Sequence, residues 1–174
     1  MMFYTCKWFR IEELVPPPEL LPENMQRVYR HYPAMLFRCF DRRLLVTLDL
    51  FRKRYGVFTV NDWLWRGDDP NALRYSGWRP FGCGVGADLS EHYWFRAFDG
   101  HFRYVTPQEI WDDMLKNPTD PTFAHVERIE AGAGMSWGHI DVGQHKRYGQ
   151  AIRVIPGPHG DRAGLPGYIE KVAA

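Results

Sequence analysis

Histidine and carboxylate occur together in two stretches of this chain. SEHYWFRAFD at 90–99 holds His92 and Asp99 seven positions apart among aromatic residues. WGHID at 137–141 spaces Trp137, His139 and Asp141 two apart. Residues two apart share one face of a β-strand, so His139 and Asp141 point together while Ile140 and Val142 take the opposite face. Seven is an odd separation, and a straight strand would put His92 and Asp99 on opposite faces. They converge only if His92 lies in the turn before the strand, with FRAFD as the strand proper. Two imidazoles and one carboxylate are the ligand set of a catalytic zinc site, which leaves the fourth position to water; structural zinc sites prefer thiolates and full closure. The plainer alternative for 90–99 is a half-buried strand with a partly satisfied histidine.

The composition limits what else the chain can be. Its 174 residues suffice for one domain with a real core, and a hydrophobic content of 45% excludes a disordered chain. A formal net charge of +1 gives no electrostatic case for nucleic-acid or membrane partners. Three cysteines, Cys6, Cys39 and Cys83, make neither a disulfide framework nor a zinc knuckle. No apolar run approaches the length of a membrane span, and the N-terminal stretch lacks the pattern of a secretory leader, so synthesis and retention in a cytoplasm are expected.

The elements that must carry the two stretches can be read from periodicity and turn chemistry. Residues 1–37 read as an extended lead-in stiffened by VPPPELLP at 15–22. Residues 41–55 read as a helix capped by Asp41, striped by Leu44, Leu48, Phe51 and Tyr55, and stopped at Gly56. VFTVND (57–62) reads as a strand, and 66–90 as a long loop. Thr106, Pro107 and Glu109 mark a helix start with a capping box. FAHVERIE (123–130) and MSWGHIDVG (135–143) read as strands joined by AGAG. AIRVI (151–155) reads as another strand, and 156–174 as an irregular Gly/Pro-rich tail. The predicted class is α+β, with segregated helices and a mainly antiparallel sheet.

On these residues the chain resembles the zinc D-alanyl-D-alanine peptidases, a family that shares its fold with the Hedgehog signalling domain and several phage endolysins. Ser90, His92, Ala97 and Asp99 fall on its Ser-x-His-x-x-Gly-x-Ala-x-Asp signature, WGHID resembles its Trp-x-His-x-Asp element, and SGWRP (76–80) resembles its Ser-Gly-x-Arg segment. The resemblance covers roughly 38–155 and departs from the signature at Phe95, which stands where the family has glycine and could narrow the cleft.

The resemblance implies a Hedgehog/DD-peptidase-like domain in which His92, Asp99 and His139 bind Zn²⁺. It implies that Arg79 holds substrate through its planar fork. Ser90 either bonds substrate or caps the turn, and Trp137 either walls the site or packs in the core. The family's glutamate shortly before the third ligand is missing here, where Ser136, Trp137 and Gly138 stand. Glu130 is the first candidate for the general base and Asp141 the next; Glu127, three residues before Glu130, points to the other strand face. The implied activity is a zinc metallopeptidase acting on peptidoglycan stem or cross-link peptides, as a carboxypeptidase or endopeptidase, in the manner of a phage lysis or virion-associated enzyme. The alternative is a non-catalytic, zinc-containing binding or virion structural module on the same fold.

Overall fold

The helix over 42–55 begins where its cap predicts. In a computed structural model that describes residues 3–143, 145, 147 and 149–171, the Asp41 carboxylate accepts the Arg43 N–H at 2.9 Å. Such a cap is worth about 1 kcal/mol. Gly56, at φ 77°, ends the helix. The helical elements are α1 (Glu23–His31), α2 (Arg42–Tyr55), α3 (Trp63–Arg66) and α4 (Pro107–Lys116). The strands are β1 (Phe58–Thr59), β2 (Ala97–Phe102), β3 (Arg128–Ala131), β4 (Gly138–Asp141), β5 (Ala151–Pro156) and β6 (Tyr168–Glu170). The capping box at the start of α4 forms as expected, with Thr106 and Glu109 bonding each other's backbone N–H.

The six strands form one sheet in the order β1-β2-β4-β3-β5-β6. Every pairing is antiparallel except β3 with β5. The class is therefore α+β with a mixed, mainly antiparallel sheet. Register divides the sheet into two chemistries. Phe98, Ile140, Ile129 and Val154 lie in one cross-strand row and join the core, which the apolar stripes of α2 and α4 complete. The next row, Asp99, His139, Glu130 and Ile155, is one residue along each strand and so faces the other side.

Four expectations about the elements fail. The segment 1–37 is not an extended lead-in. Pro18 and Pro33 open 3₁₀ turns at Pro18–Leu20 and Pro33–Cys39, with α1 between them. Proline fixes a φ that suits a first helical turn as well as an extended chain. Ile11, Leu14, Val15, Leu21, Leu36 and Phe37 are buried in the same core as the sheet. The strand expected over 123–130 starts only at Arg128, because Asp120 caps a turn at Pro121–Phe123 by accepting from the Thr122 N–H at 2.8 Å. The strand expected over 57–62 shrinks to two residues. In the tail, Tyr168–Glu170 adds a strand beside β5. No helix among the described residues is long and apolar enough to cross a membrane.

Candidate metal centre

His92 lies in a 3₁₀ turn, Glu91–Trp94, that precedes β2. The odd spacing to Asp99 is resolved by that turn. Its start is fixed by Ser90, whose hydroxyl accepts the His92 N–H at 3.4 Å. Its end is Phe95, in the left-handed region at φ 59°, ψ 34°. A glycine adopts that conformation without strain. Phe95 is held in it by packing: its ring stacks on Trp78 at 4.7 Å and meets Phe40 edge-on at 5.2 Å. The ring therefore points away from the cleft and is absent from its lining. The expected narrowing of the cleft by Phe95 does not occur.

The segment Ser76–Arg79 props the 90–99 stretch at both His92 and Asp99. The Ser76 carbonyl accepts the Asp99 N–H at 2.7 Å, and the Gly77 carbonyl lies 2.6 Å from His92 Nδ1. A Cβ on Gly77 would come within 2.2 Å of the Leu14 carbonyl oxygen, so only glycine lets the two backbones approach this closely. The Trp78 N–H donates to that same carbonyl at 2.8 Å. With its Nδ1–H committed to Gly77, His92 turns the lone pair of Nε2 into the site.

Three donor atoms converge there. His92 Nε2 is 3.3 Å from His139 Nδ1 and 3.4 Å from Asp99 Oδ1, and His139 Nδ1 is 2.8 Å from Asp99 Oδ1. A tetrahedral cation with bonds of about 2.0–2.1 Å has ligand-to-ligand edges of about 3.3 Å. Two of the three separations already equal that edge, and the third needs to open by about 0.5 Å. All three residues are buried, and the group could hold a metal ion.

Burial and mutual contacts set the protonation states of the three donors. Burial holds the His92 imidazole below its ordinary range, hence neutral. Burial would also lower His139, but its bonds to Asp141 and Asp99 outweigh that and push it up to about 9. Burial would raise Asp99; His92 and His139 reverse this and hold its carboxyl well below the carboxylate range. Without a cation, His139 is thus an imidazolium between two carboxylates, and a cation would take the place of its Nδ1 proton.

Asp141 stands behind His139, as face-sharing predicts, and is fully buried. Its Oδ2 lies 2.5 Å from Arg128 Nε and 3.5 Å from His139 Nε2; its Oδ1 lies 2.9 Å from His145 Nε2. It does not line the cleft. Asp141 therefore meets His139 from behind and does not face the cleft. Arg128 and His145 were not singled out by the sequence. Arg128 was legible from strand alternation with Glu130; His145 follows a loop and carried no signal.

The cleft above the three donors has a volume of about 580 Å³ and is lined in part by Arg79, Ser90, Arg128, Glu130, Trp137 and Ile155. Glu130 sits directly across from His139 in the β3–β4 register. Burial raises its carboxyl above the ordinary value, against the opposing pull of His139. It accepts no hydrogen bond among the described residues. Glu127 is buried elsewhere, 3.6 Å from Lys171 Nζ. Arg79 reaches the cleft, but Nη2 bonds Asp99 Oδ2 at 2.6 Å and Nε bonds the Tyr75 carbonyl at 2.6 Å. Its guanidinium thereby occupies the second oxygen of Asp99 and leaves Oδ1 to the other donors. Ser90 lines the cleft while capping its turn, and Trp137 both lines it and packs on the core.

Comparison of the chain with family models, with curated proteins and with solved structures returns no match.

Proposed function

We propose that this chain is a zinc peptidase of the Hedgehog/DD-peptidase type that hydrolyses peptide bonds in bacterial peptidoglycan peptides. The observation that carries the reading is the cross-strand row Asp99–His139–Glu130, with His92 Nε2 turned onto it from the preceding turn. The donor set is imidazole and carboxylate without thiolate, and it opens on a cleft, which is the pattern of a catalytic rather than a structural zinc site. Zinc held there would acidify a water and polarise the carbonyl it meets.

The chain's own residues divide the remaining work. Glu130 is one strand away from the donors, faces the same cleft and accepts no hydrogen bond among the described residues, which supports a role for its carboxylate in taking a water proton and returning it to the leaving amine nitrogen. Arg79 fixes the orientation of Asp99, and Asp141, held by Arg128 and His145, fixes that of His139. The apolar side chains of Val85, Leu89 and Ile155 along the cleft limit the water around the scissile bond.

The second reading is a zinc-containing binding module on the same fold. It is favoured by the commitment of Arg79 to Asp99, which leaves less of the guanidinium for a substrate carboxylate. Incubation of zinc-loaded protein with isolated peptidoglycan separates the two. The peptidase reading expects new amino termini with the wild type, and none with Glu130→Gln protein that folds and retains zinc. Absence of new termini with wild type across pH and metal conditions would count against the peptidase reading and favour the binding module.

A further inference from the structure

A second recess opens beside the metal cleft. Phe81, Gly82, Gly84, Gly86, Asp88 and Tyr93 enclose about 410 Å³, and Gly86 borders both spaces. The Phe81 ring stacks on Tyr93 with centroids 5.1 Å apart and planes at 20°, and it meets Trp94 at 5.2 Å and 77°. Tyr93 is buried, and its hydroxyl donates to the Val85 carbonyl at 3.2 Å, which holds the loop over the ring. Phe81 and Trp94 are 64% and 53% exposed. Exposed aromatic rings gathered at the rim of a cleft mark a recognition surface more often than scattered single ones do.

The chemistry of the recess selects its ligand. Gly82 and Gly84 have φ of 80° and 73°, and a Cβ on either would meet nothing within 4 Å, so the backbone there borders open space. The recess contains one charged side chain, Asp88, whose carboxylate accepts no hydrogen bond among the described residues. Arg79, whose guanidinium lies beside Gly86, bonds Asp99 and the Tyr75 carbonyl. A phosphate or a nucleic acid would need free cations that the recess does not offer. A sugar ring needs what is present: an aromatic face for its C–H surface and a carboxylate to accept from its hydroxyls.

We propose that the corner formed by the Phe81 and Trp94 rings, together with Asp88, binds a neutral pyranose of a glycan strand, and so presents the attached peptide to the adjoining metal cleft. The second clause rests on the peptidase reading; sugar binding itself does not.

The test measures binding of wild-type, Phe81→Ala and Trp94→Ala protein to two probes, an N-acetylglucosamine hexamer and glycan strands freed of peptide. Both rings are largely exposed, so either variant should fold, and circular dichroism checks this. Wild type is expected to bind both probes. Truncation of either ring should weaken binding about tenfold, as for an aromatic anchor removed from an interface, with cleavage of a soluble, sugar-free stem peptide unchanged. Wild type that binds neither glycan, or ring variants that bind as well as wild type, would overturn the proposal. Intact glycan binding without peptide cleavage by any protein would instead overturn the peptidase reading alone.

Discussion

Exchanging Asp141 for asparagine removes the charge behind His139 while nearly preserving shape. In wild type the fully buried carboxylate bonds Arg128 at 2.5 Å and His145 at 2.9 Å and stands 3.5 Å from His139 Nε2. Loss of such an orienting partner weakens metal binding by about 10- to 100-fold. The 3.5 Å contact is longer than a well-formed hydrogen bond, which places the orienting loss near the lower bound, about 1.4 kcal/mol. A second effect adds to it. The new amide can turn its NH₂ toward Nε2 and favour the tautomer that carries its proton on Nδ1, the nitrogen facing the cation. The expected total is a decrease in zinc affinity of about 10- to 100-fold, read by competition with a chromophoric chelator. Removing one partner of a buried ion pair costs about 3–5 kcal/mol. Arg128 borders the cleft and its side chain is 18% exposed, so water can offset part of this, and a destabilisation of about 1–3 kcal/mol is expected in urea unfolding with chelator present. A folded Asp141→Asn protein that binds zinc as tightly as wild type would refute the orienting role.

Other substitutions probe the scaffold of the site. Phe95→Gly should be more stable than Phe95→Ala by about 1 kcal/mol, because both lose the stack on Trp78 but only glycine relieves the positive φ; equal stabilities in chemical denaturation would contradict this. Gly77→Ala should lower both stability, by about 1–3 kcal/mol or more, and zinc affinity, since its Cβ would meet the Leu14 carbonyl while its own carbonyl holds His92; unchanged melting and zinc binding would refute the close-approach account. The Arg54 hydrogen bonds, with those of Tyr55 and Asn117, hold the Asp113 carboxyl well below its ordinary value against the opposing effect of burial. A carboxyl depressed in the folded state stabilises above its unfolded pKa of about 3.9 and loses that contribution as pH falls toward the folded value. Asp113→Asn should therefore destabilise the protein at pH 7 and differ progressively less from wild type below about pH 4; a difference constant with pH would count against it.

The site was more legible in the sequence than the scaffold around it. Alternation by two along a strand is a strong constraint, so the shared face of His139 and Asp141 followed from spacing alone. The odd step from His92 to Asp99 forced a turn, and the turn is present. The capping signals at Asp41 and Thr106 located two helix starts because each cap is a local contact between residues two or three apart. Non-local features were not legible. The helical character of the first 37 residues depends on burial of Ile11, Leu14 and Leu36 against the core, which the run of prolines conceals. The direction of the Phe95 ring depends on Trp78 and Phe40. The commitment of Arg79 to Asp99 depends on how Ser76–Arg79 lies against β2, and no local pattern encodes that.

The central claim is that His92 Nε2, Asp99 Oδ1 and His139 Nδ1 hold one zinc ion. X-ray absorption at the zinc edge, on protein purified without added metal and quantified by elemental analysis, tests it most directly. The account predicts one zinc per chain with a shell of two imidazole nitrogens and oxygen ligands, no sulfur, and loss of the metal in a folded His139→Ala variant. Wild type that neither retains nor takes up zinc, a sulfur-containing shell, or an unchanged zinc content in His139→Ala would contradict it.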